Sequence, residues 1–421
     1  MRILVLIIQF PPDVNASGRL MAQLCQGLQA RGHSVSVITT FPHYEKFRVW
    51  DEFRGKLFER VTYAGLDVLR LYVYAYGNKG SMLHRLLSYL SFSVLATLAA
   101  FTVRDTYDLI LCSNGSFFSG IAASIIARAR GIPFIYNVQD LYPETPVQAG
   151  QLHNRFAIAL LERLERFMYA RAAHVTVISP AFRRNVISKG IPAEKVSTIP
   201  NFVDTQFIRR LPKANTFSEQ HGLENKFVVL QAGNLGYVYD LDTLIDAAML
   251  LRNEAGIVFL IIGDGVMKQR LQERAAQLPN VRFLPFQPEE SVPLMRATAD
   301  IQVALYKRGS GRYSMPSKLY EIMASGRPVL ASADPGTDLW QLVNGTQCGV
   351  CIEPGDPNQL ASVIQHLYSD PALRERMGQR GRLEAEQHYS QQAVVAQYDT
   401  LCRALSSPSE SGVPAPERIA L

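Results

Sequence analysis

The chain has 421 residues, of which 48% are hydrophobic and 19% are charged, so it can bury two cores and is too apolar for a disordered protein. Its five cysteines are scattered and odd in number, so no disulfide framework is implied and a reducing compartment fits best. The formal charge is +6, and the basic surplus lies within residues 1–205, which suits either a solvated face or a surface that meets anionic lipid or phosphate.

Short apolar runs alternate with helical patterns in the first half of the chain. Strands are predicted at Ile3–Ile8, Ser34–Thr40, Leu109–Cys112, Phe134–Val138 and Val175–Ile178, and helices at Ser17–Arg31, Gly120–Arg130 and Arg155–Ala172. The N-terminal run has no small-residue cleavage site after it, so it is interpreted as a buried strand and not as a signal peptide. This alternation is typical of a doubly wound parallel sheet.

One segment, Met82–Val103, is apolar nearly all round and approaches the ~20 residues that span a bilayer. Serine, threonine and alanine dilute it, so a buried or interface-lying helix is favoured over a transmembrane helix. Tyr72, Tyr74 and Tyr76 precede it and suit either an interfacial aromatic belt or one face of a strand. Together with the basic first half, the segment predicts peripheral membrane contact.

The second half of the chain repeats the alternation. After a polar linker at Ile208–Asn225, strands are predicted at Phe227–Gln231, Val258–Ile262, Val281–Phe283, Ile301–Ala304 and Val329–Ala331, with helices at Leu241–Arg252, Glu290–Thr298 and Asp370 to about Leu405. Cys348 and Cys351 have redox or half-zinc spacing, but no second Cys/His pair accompanies them, so they are interpreted as small buried residues.

These elements predict an α/β protein of two doubly wound, Rossmann-like domains that face a central cleft. The N-terminal domain covers residues 1–205 and the C-terminal domain covers 206–385. A helix at 386–405 is expected to return to the first domain, and the tail at 406–421 is expected to be disordered. Because ligands of such sheets bind outside the carboxyl ends of the strands, the sequence predicts a ligand between the domains.

Two motifs follow strands of the first half. The turn that contains Gly18 leads into a helix whose free amides suit an oxyanion, although plain strand-to-helix turns have the same composition. It is not a G-x-G-x-x-G motif, which argues against a nicotinamide site. Asp140 and Glu144 follow the strand at Phe134–Val138 and are candidate catalytic residues that accept a proton or bind a hydroxyl. The alternative is a helix-capping aspartate and a surface glutamate.

Two glycine turns follow strands of the second half. Gly233, Asn234 and Gly236 form a turn that lets a diphosphate approach the backbone, to which the Asn234 amide can donate. Gly263 and Asp264 lie in a tight turn of the kind on which a flat nucleobase can rest.

A third motif of the second half starts a helix. Pro316 and Ser317 begin it, Lys318 lies on its first turn, Arg312 precedes it, and Glu321 one turn later can bind ribose hydroxyls. A lysine at a helix N-terminus is electrostatically unfavourable without an anion. The motif therefore favours a diphosphate site over an exposed helical Lys–Glu pair.

In this order, the motifs resemble those of glycosyltransferase family four, the retaining GT-B enzymes of sugar-polymer synthesis. The resemblance covers about residues 1–405 and rests on the early Pro-Pro turn with Gly18 and on Gly233–Leu235, Ile262–Gly265 and Glu321–Val329. It implies an acceptor-binding first half and a second half that binds a nucleotide diphosphate sugar, with retention of configuration and without a required metal or other cofactor. Phe286 and Leu319 are implied members of the nucleotide-sugar site. A nucleic-acid partner is not expected.

The sequence departs from the usual family pattern in three places. Tyr313 replaces a glutamate, Asn234 and Tyr239 replace a basic pair, and Gln139-Asp140 stands where many members carry a histidine. Lys318 and Arg312 are therefore expected to neutralise the diphosphate. These changes resemble the branch that acts in O-antigen, capsule and colanic-acid assembly, including L-fucosamine transferases. That branch implies a UDP-linked amino sugar and a lipid-linked acceptor at the cytoplasmic face of the plasma membrane.

Two other functions fit the same motifs. A nucleotide-sugar 2-epimerase of GT-B fold would need no acceptor, and the apolar segment at Met82–Val103 argues against it. A non-catalytic GT-B scaffold in a membrane assembly complex is the other alternative, which the missing glutamate at Tyr313 keeps open.

Overall fold

Two parallel β-sheets, each in its own compact unit, form the computed structural model, which describes residues 1–13, 15–45, 47–76, 82–102, 105–148, 152–311 and 315–406. Unit 1 comprises Met1–Val177, Val186–Ile199 and the chain from Val395 onward, and unit 2 comprises Ile178–Asn185 and Pro200–Val394. Both units are therefore discontinuous in sequence: the last helix joins unit 1 from Val395 onward, and Ile178–Asn185 joins unit 2. That the two domains face a central cleft stays a prediction.

The sheet of unit 1 is built from strands that are mostly buried and apolar, except for the edge strand at Phe58–Tyr63, which has no buried residue. Among the described residues these are β1 (Arg2–Leu6), β2 (Ser34–Thr40), β3 (Phe58–Tyr63), β4 (Leu66–Leu71), β5 (Leu109–Ser113), β6 (Phe134–Val138), β7 (His174–Val177) and β8 (Val196–Thr198). Their order is β3-β4-β2-β1-β5-β6-β7-β8, and only the β3–β4 pair is antiparallel. The strand order reverses between β1 and β5, which makes their carboxyl ends the expected ligand position.

Helices cover the sheet of unit 1. They are α1 (Ala16–Ala30), α2 (Met82–Thr102), α3 (Ser119–Arg130), α4 (Glu144–Gln148), α5 (Arg155–Arg171) and α6 (Pro180–Ser188), of which α6 begins within unit 2. Asn15 caps α1 by accepting from the Gly18 amide at 3.0 Å, and Gly131 ends α3 in the left-handed conformation.

Six parallel strands form the sheet of unit 2 in the part of the chain that the structure describes. They are β9 (Phe227–Ala232), β10 (Ile257–Ile262), β11 (Val281–Leu284), β12 (Ile301–Leu305), β13 (Val329–Ser332) and β14 (Gly349–Ile352), in the order β11-β10-β9-β12-β13-β14. This is the doubly wound dinucleotide-binding order, with its reversal between β9 and β12. The predicted α/β class is confirmed.

The helices of unit 2 alternate with its strands. They are α7 (Thr216–Gln220), α8 (Leu241–Leu250), α9 (Lys268–Ala275), α10 (Val292–Thr298), α11 (Ser317–Ala324), α12 (Asp338–Thr346), α13 (Pro357–Ser369) and α14 (Pro371–His388). The last helix, α15 (Gln391–Ser406), joins unit 1 from Val395 onward. There, the hydroxyl of Tyr398 accepts from Asn137 at 2.8 Å, and Asp399 pairs with His33 at 2.8 Å.

Two segments differ from the sequence-based prediction. The expected linker at Ile208–Asn225 packs into unit 2, because Asn215 and Ser218 form a capping box around α7 and bury Phe217. The expected single helix from Asp370 to Leu405 is two helices. The break lies at Tyr389–Ser390, where the Tyr389 carbonyl accepts from the Val203 amide at 2.9 Å and Ser390 Oγ accepts from the Ala393 amide. The predicted tail beyond residue 406 lies outside the described residues.

Helix α2 has two dissimilar faces. Ser88, Phe92, Ala96 and Ala100 are buried, whereas a stripe on the opposite side is exposed and consists of Leu83, Leu87, Leu90, Val94, Leu98 and Phe101. By length and composition alone, Leu83–Thr102 could cross a membrane, and it is the one such helix among the described residues. Only 28% of its most apolar window is buried. Because α2 connects two parallel strands of one sheet, it lies along the sheet.

Candidate active site

The two predicted glycine turns of unit 2 lie against each other at the carboxyl ends of β9 and β10. The Gly233 amide donates to the Ile262 carbonyl at 2.9 Å, and the Leu235 amide donates to the Asp264 carbonyl at 2.8 Å. A Cβ atom on Gly263 would lie 1.9 Å from the Gly233 carbonyl oxygen, and Gly263 has a φ of 146°. Only glycine fits this close approach.

The side chains of these turns have different surroundings. Gly233, with a φ of 121°, has open space where a Cβ would lie, although its amide already donates to the Ile262 carbonyl. The Asp264 side chain is 65% exposed, accepts from the Gly265 amide at 2.7 Å and lies 3.6 Å from Lys268. A Cβ atom on Gly236 would lie 3.1 Å from Asn234 Nδ2. The predicted turn residues are thus together, and their binding role stays a prediction.

Helix α11 starts at Ser317, and its first turn places Lys318 against the end of β9. Lys318 Nζ donates to Gln231 Oε1 at 3.2 Å and lies 4.6 Å from the centre of the Tyr239 ring. Gln231 comes from β9, and Tyr239 from the loop that follows it. This position is the reversal point of the sheet, where doubly wound folds bind ligands.

The Lys318 ammonium is poorly solvated. Desolvation, aided by the positive charge of Arg296 and opposed by Glu321, lowers the pKa of Lys318 to about 7. Lys318 as a whole residue is partly exposed, but its ammonium group is surrounded by protein atoms. Within the described residues, no carboxylate forms an ion pair with it, since Glu321 pairs with Arg296. Lys318 is therefore not the exposed helical partner of Glu321, and a buried cation without a counter-ion suits an anionic ligand.

Arg296 links α11 to the sheet through a buried network that the sequence analysis missed. Its guanidinium donates to Glu321 and, at 2.7 Å, to Gln302 Oε1. Gln302 Nε2 in turn donates to Ser325 Oγ at 2.9 Å. Arg296 is only 5% exposed. The network therefore orients Glu321. Its predicted contact with ribose hydroxyls would use the carboxylate oxygen that does not accept from Arg296.

Leu319 does not fit the binding role predicted for it. Its side chain is fully buried in the core of unit 2, and its amide donates to the Pro316 carbonyl at 2.9 Å. Neither the side chain nor the amide of Leu319 is therefore available to contact a ligand. Pro316 itself is buried and precedes the first turn of α11. Phe286 follows β11 and is exposed, and the predicted ligand residue Arg312 lies outside the described residues.

In unit 1, a buried asparagine fixes the turn that carries Asp140. Asn114 follows β5, at the reversal point of this sheet. Its Oδ1 accepts from the amides of Gln139 at 2.7 Å and Asp140 at 3.3 Å, and its Nδ2 donates to the Asp140 carbonyl at 2.6 Å. A polar residue at a strand end was the available signal for Asn114, and sequence reasoning did not use it.

The Asp140 carboxyl lies among aromatic hydroxyls. Asp140 is exposed, yet nearby protein atoms desolvate it and raise its pKa. A hydrogen bond joins Tyr89 of α2 to Tyr142, and the charges of Asp140 and Arg85 both act on this pair. Exposure combined with a raised pKa is typical of a carboxyl group that exchanges protons with a ligand.

Glu144, the second predicted catalytic carboxylate, is engaged in an ion-pair cluster. Its Oε1 lies 2.8 Å from Lys189 Nζ, which also pairs with Glu165. Glu165 accepts from the Tyr169 hydroxyl at 2.6 Å. These contacts favour a structural role for Glu144 and separate it chemically from Asp140.

Gly18 lies in the first turn of α1, where the helix passes close to the backbone after β1. A Cβ on Gly18 would lie 2.8 Å from the Gln9 carbonyl oxygen. Its amide already donates to Asn15. The structure therefore explains Gly18 by close packing and leaves its amide unavailable to the predicted anion.

The cysteine spacing of the second half forms neither a metal site nor a disulfide among the described residues. The described residues contain no group of three or more His, Cys, Asp or Glu side chains that could hold a metal ion. All five cysteines are buried free thiols, and Cys348 and Cys351 flank the start of β14, so the interpretation of both as small buried residues is confirmed.

Family models match both halves of the chain. The Glycosyl transferase 4-like domain matches residues 15–201, and the Glycosyl transferases group 1 domain matches residues 213–384. The chain belongs to the family-four glycosyltransferases. The resemblance that the motifs predicted is therefore confirmed, and the protein is a glycosyltransferase of GT-B fold.

Individual glycosyltransferases are similar over most of their length. The putative colanic acid biosynthesis glycosyl transferase WcaI of Escherichia coli is 28% identical over 88% of this chain and 93% of its own. The probable glycosyltransferase WbjE of Pseudomonas aeruginosa is 25% identical over 79% of this chain and 84% of its own. The structure of Anabaena HepE in complex with UDP-glucose has a TM-score of 0.68 at 19% identity and covers 96% of this chain and 100% of that one. That structure supports the GT-B fold.

Proposed function

We propose that this glycosyltransferase moves a sugar from a UDP-linked donor, with retention of configuration, to a lipid-linked or membrane-presented glycan in surface polysaccharide synthesis. An N-acetylated amino sugar is the first donor to test. The observation that carries the proposal is the buried Lys318 ammonium, which lies at the reversal point of the sheet in unit 2 without a carboxylate partner among the described residues. The names of WcaI and the HepE complex support the pathway and the nucleotide.

In this reaction the bond between the anomeric carbon and the diphosphate oxygen breaks, and negative charge develops on the diphosphate. Lys318 supplies positive charge at that position without a metal, and the glycine at 233 leaves room for the diphosphate to approach the turn. Glu321, oriented by Arg296, binds the ribose hydroxyls. The acceptor hydroxyl forms the new bond on the face that the diphosphate leaves, and Asp140 accepts its proton.

Nucleotide binding followed by transfer tests the proposal. Thermal shift with UDP, GDP, ADP and dTDP should show the largest stabilisation with UDP, because a ligand that binds only the folded state stabilises it by mass action. Incubation with labelled UDP-sugars and lipid-linked acceptors should then yield labelled glycolipid. Sugar interconversion without an acceptor would instead identify an epimerase. Binding and transfer absent for every donor would contradict the proposal and favour a scaffold.

We also propose that α2 and α5 dock unit 1 on the inner face of the plasma membrane. Helix α3 packs against both, and each exposes an apolar stripe. On α5 the stripe contains Phe156, which is 88% exposed, Leu160 and Phe167. The arginines of the same helix, at 155, 163, 166 and 171, are exposed around it. An apolar stripe flanked by arginines suits an anionic bilayer.

Vesicle co-sedimentation tests this surface. The wild-type protein should bind vesicles that contain phosphatidylglycerol more strongly than vesicles of phosphatidylcholine alone. The double variant Leu90→Gln with Val94→Gln should lose most of this binding, since both side chains belong to the exposed stripe of α2. Leu383→Gln on α14 is the matched control, because Leu383 is equally exposed but lies in unit 2. Equal binding to both vesicle types, or equal loss in the control, would contradict the proposal.

A further inference from the structure

Gln231 brings a second unsatisfied donor to the Lys318 site. Gln231 is 1% exposed, and its Oε1 accepts from Lys318 Nζ. Because an ammonium has only donors, Lys318 must face the carbonyl oxygen of the amide. The other end of the amide, Nε2, is buried and has no hydrogen-bond partner among the described residues. A buried donor without a partner costs free energy, which a ligand that accepts from it would recover.

Among the described residues, no carboxylate forms an ion pair with Lys318 that would balance its charge. Arg296 of α10 adds a second positive charge, and Glu321 of α11 is already paired with Arg296. Tyr239 offers a ring face, and its hydroxyl is hydrogen-bonded to Tyr306, which follows β12. Burial also raises the pKa of Tyr239, so this phenol supplies no negative charge near neutral pH. The site is therefore electropositive and poorly solvated.

We propose that Gln231, Lys318 and Tyr239 form a proton-coupled diphosphate subsite. In this subsite, binding of the donor draws a proton from solvent onto the Lys318 amine, while the Gln231 amide donates to the same diphosphate. The step forms one N–H bond and breaks no bond in the ligand. The inference rests on the proposed function only for the class of ligand. The Tyr239 ring stabilises the ammonium by a cation–π contact without neutralising it.

The coupling has a defined direction with pH. Burial lowers the pKa of Lys318 to about 7 in the protein alone, whereas an adjacent dianionic diphosphate favours the charged amine and raises that pKa. At pH 8 most of the amine is neutral before binding, so binding should take up roughly 0.9 of a proton, and at pH 6 only about 0.1. Donor affinity should then fall about tenfold between pH 8 and pH 9.

Isothermal titration calorimetry measures this uptake directly. The probe is a UDP-sugar, because its diphosphate is a diester that does not titrate in this range. Titrations at pH 8 in buffers of different ionisation enthalpy give the number of protons from the slope of the observed heat. Donor binding without proton uptake, together with an affinity that is flat from pH 7 to pH 9, would overturn the inference and leave the proposed function intact. Absence of binding by any nucleotide sugar would contradict both.

Two variants separate proton coupling from a structural role. Lys318→Arg keeps a fixed charge, so binding should persist while proton uptake falls to zero. Gln231→Glu places a carboxylate beside Lys318, which should hold the amine protonated, abolish the uptake and weaken donor binding at least about tenfold. Circular dichroism checks the fold of each. Uptake that is unchanged in Lys318→Arg would exclude Lys318 as the group that gains the proton.

Discussion

Six neighbouring parallel strands of unit 1, from β4 to β7, follow the same order as the six strands of unit 2. The two units nevertheless carry opposite chemistry at the point where that order reverses. In unit 2, the buried cation Lys318 contacts Gln231 of β9, the strand that leads into the glycine turn at Gly233. In unit 1, the exposed carboxyl Asp140 lies beside the Tyr89–Tyr142 pair. One site is therefore suited to an anion, and the other to a hydroxyl group that gives up a proton.

This comparison shows how one scaffold serves two roles. The parallel sheet decides where side chains converge, because loops at the carboxyl ends of neighbouring strands meet at the same edge. The residues that follow the strands decide what binds there. Asn114 after β5 fixes a carboxylate-bearing turn, whereas Gln231 near the end of β9 contacts a lysine.

The largest expected effect is at the cation of unit 2. Lys318→Met removes the charge that stabilises the departing diphosphate, so kcat/KM for the donor should fall about 10³-fold, as removal of a positioned transition-state donor does elsewhere. Steady-state release of UDP in the presence of acceptor measures this. Lys226→Met is the matched control, since Lys226 lies in unit 2 and its exposed Nζ donates to the Ala255 carbonyl at 2.8 Å. A loss below about tenfold would contradict the assignment.

The same variant should affect stability in the opposite direction. Because the folded-state pKa of Lys318 is lowered from 10.5 to about 7, the unfolded chain binds more protons between these pH values. The free energy of unfolding of the ligand-free protein should therefore rise with pH across that window, and below it the full cost of burying the ammonium remains. Lys318→Met should remove this pH dependence and raise Tm at pH 6.5, while the stabilisation by UDP disappears.

The next effect is at the carboxyl of unit 1. Asp140→Asn removes the proton acceptor but leaves unit 2 unchanged, so kcat should fall about 10²-fold while donor binding persists. Since the pKa of Asp140 is raised, wild-type activity should decline as the pH falls through that pKa, and the variant should lose this acid limb. A pH profile of kcat checks the result. A fall in donor affinity as large as the fall in kcat would break the division of roles between the units.

An intermediate effect is expected at Asn114, which fixes the turn that carries Asp140. Asn114→Ala leaves the amides of Gln139 and Asp140 without their acceptor, which should cost about 1–3 kcal/mol of stability and lower kcat about tenfold. Asn114→Asp keeps the acceptor for both amides but sets a carboxylate oxygen against the Asp140 carbonyl, so it should recover only a small part of both losses. Chemical denaturation and initial rates measure the two quantities. Equal activity of the alanine variant and the wild type would show that the turn does not depend on the hydrogen bonds of Asn114.

The sequence predicted strands and glycine turns better than it predicted individual contacts. Apolar runs and turn residues are local signals, so the switch-point loops at Gly233 and Gly263 were found. The binding role predicted for Leu319 failed because helix periodicity, which places its side chain in the core, was not weighed against the motif. Arg296 and Asn114 were missed because their partners are distant along the chain. Such contacts form only when the sheet assembles, so a local sequence pattern does not indicate them.

The smallest expected effect separates the two carboxylates that follow β6. Glu144 and Asp140 both lie in the segment predicted to be catalytic, but Glu144 pairs with Lys189 at 2.8 Å. Glu144→Gln should therefore cost about 1 kcal/mol of stability, since Lys189 keeps its partner Glu165, and should change kcat less than about threefold. Rates and denaturation of this variant beside Asp140→Asn measure the contrast. A loss of kcat equal to that of Asp140→Asn would place the proton transfer on Glu144 and would require the Lys189 pair to open during the reaction.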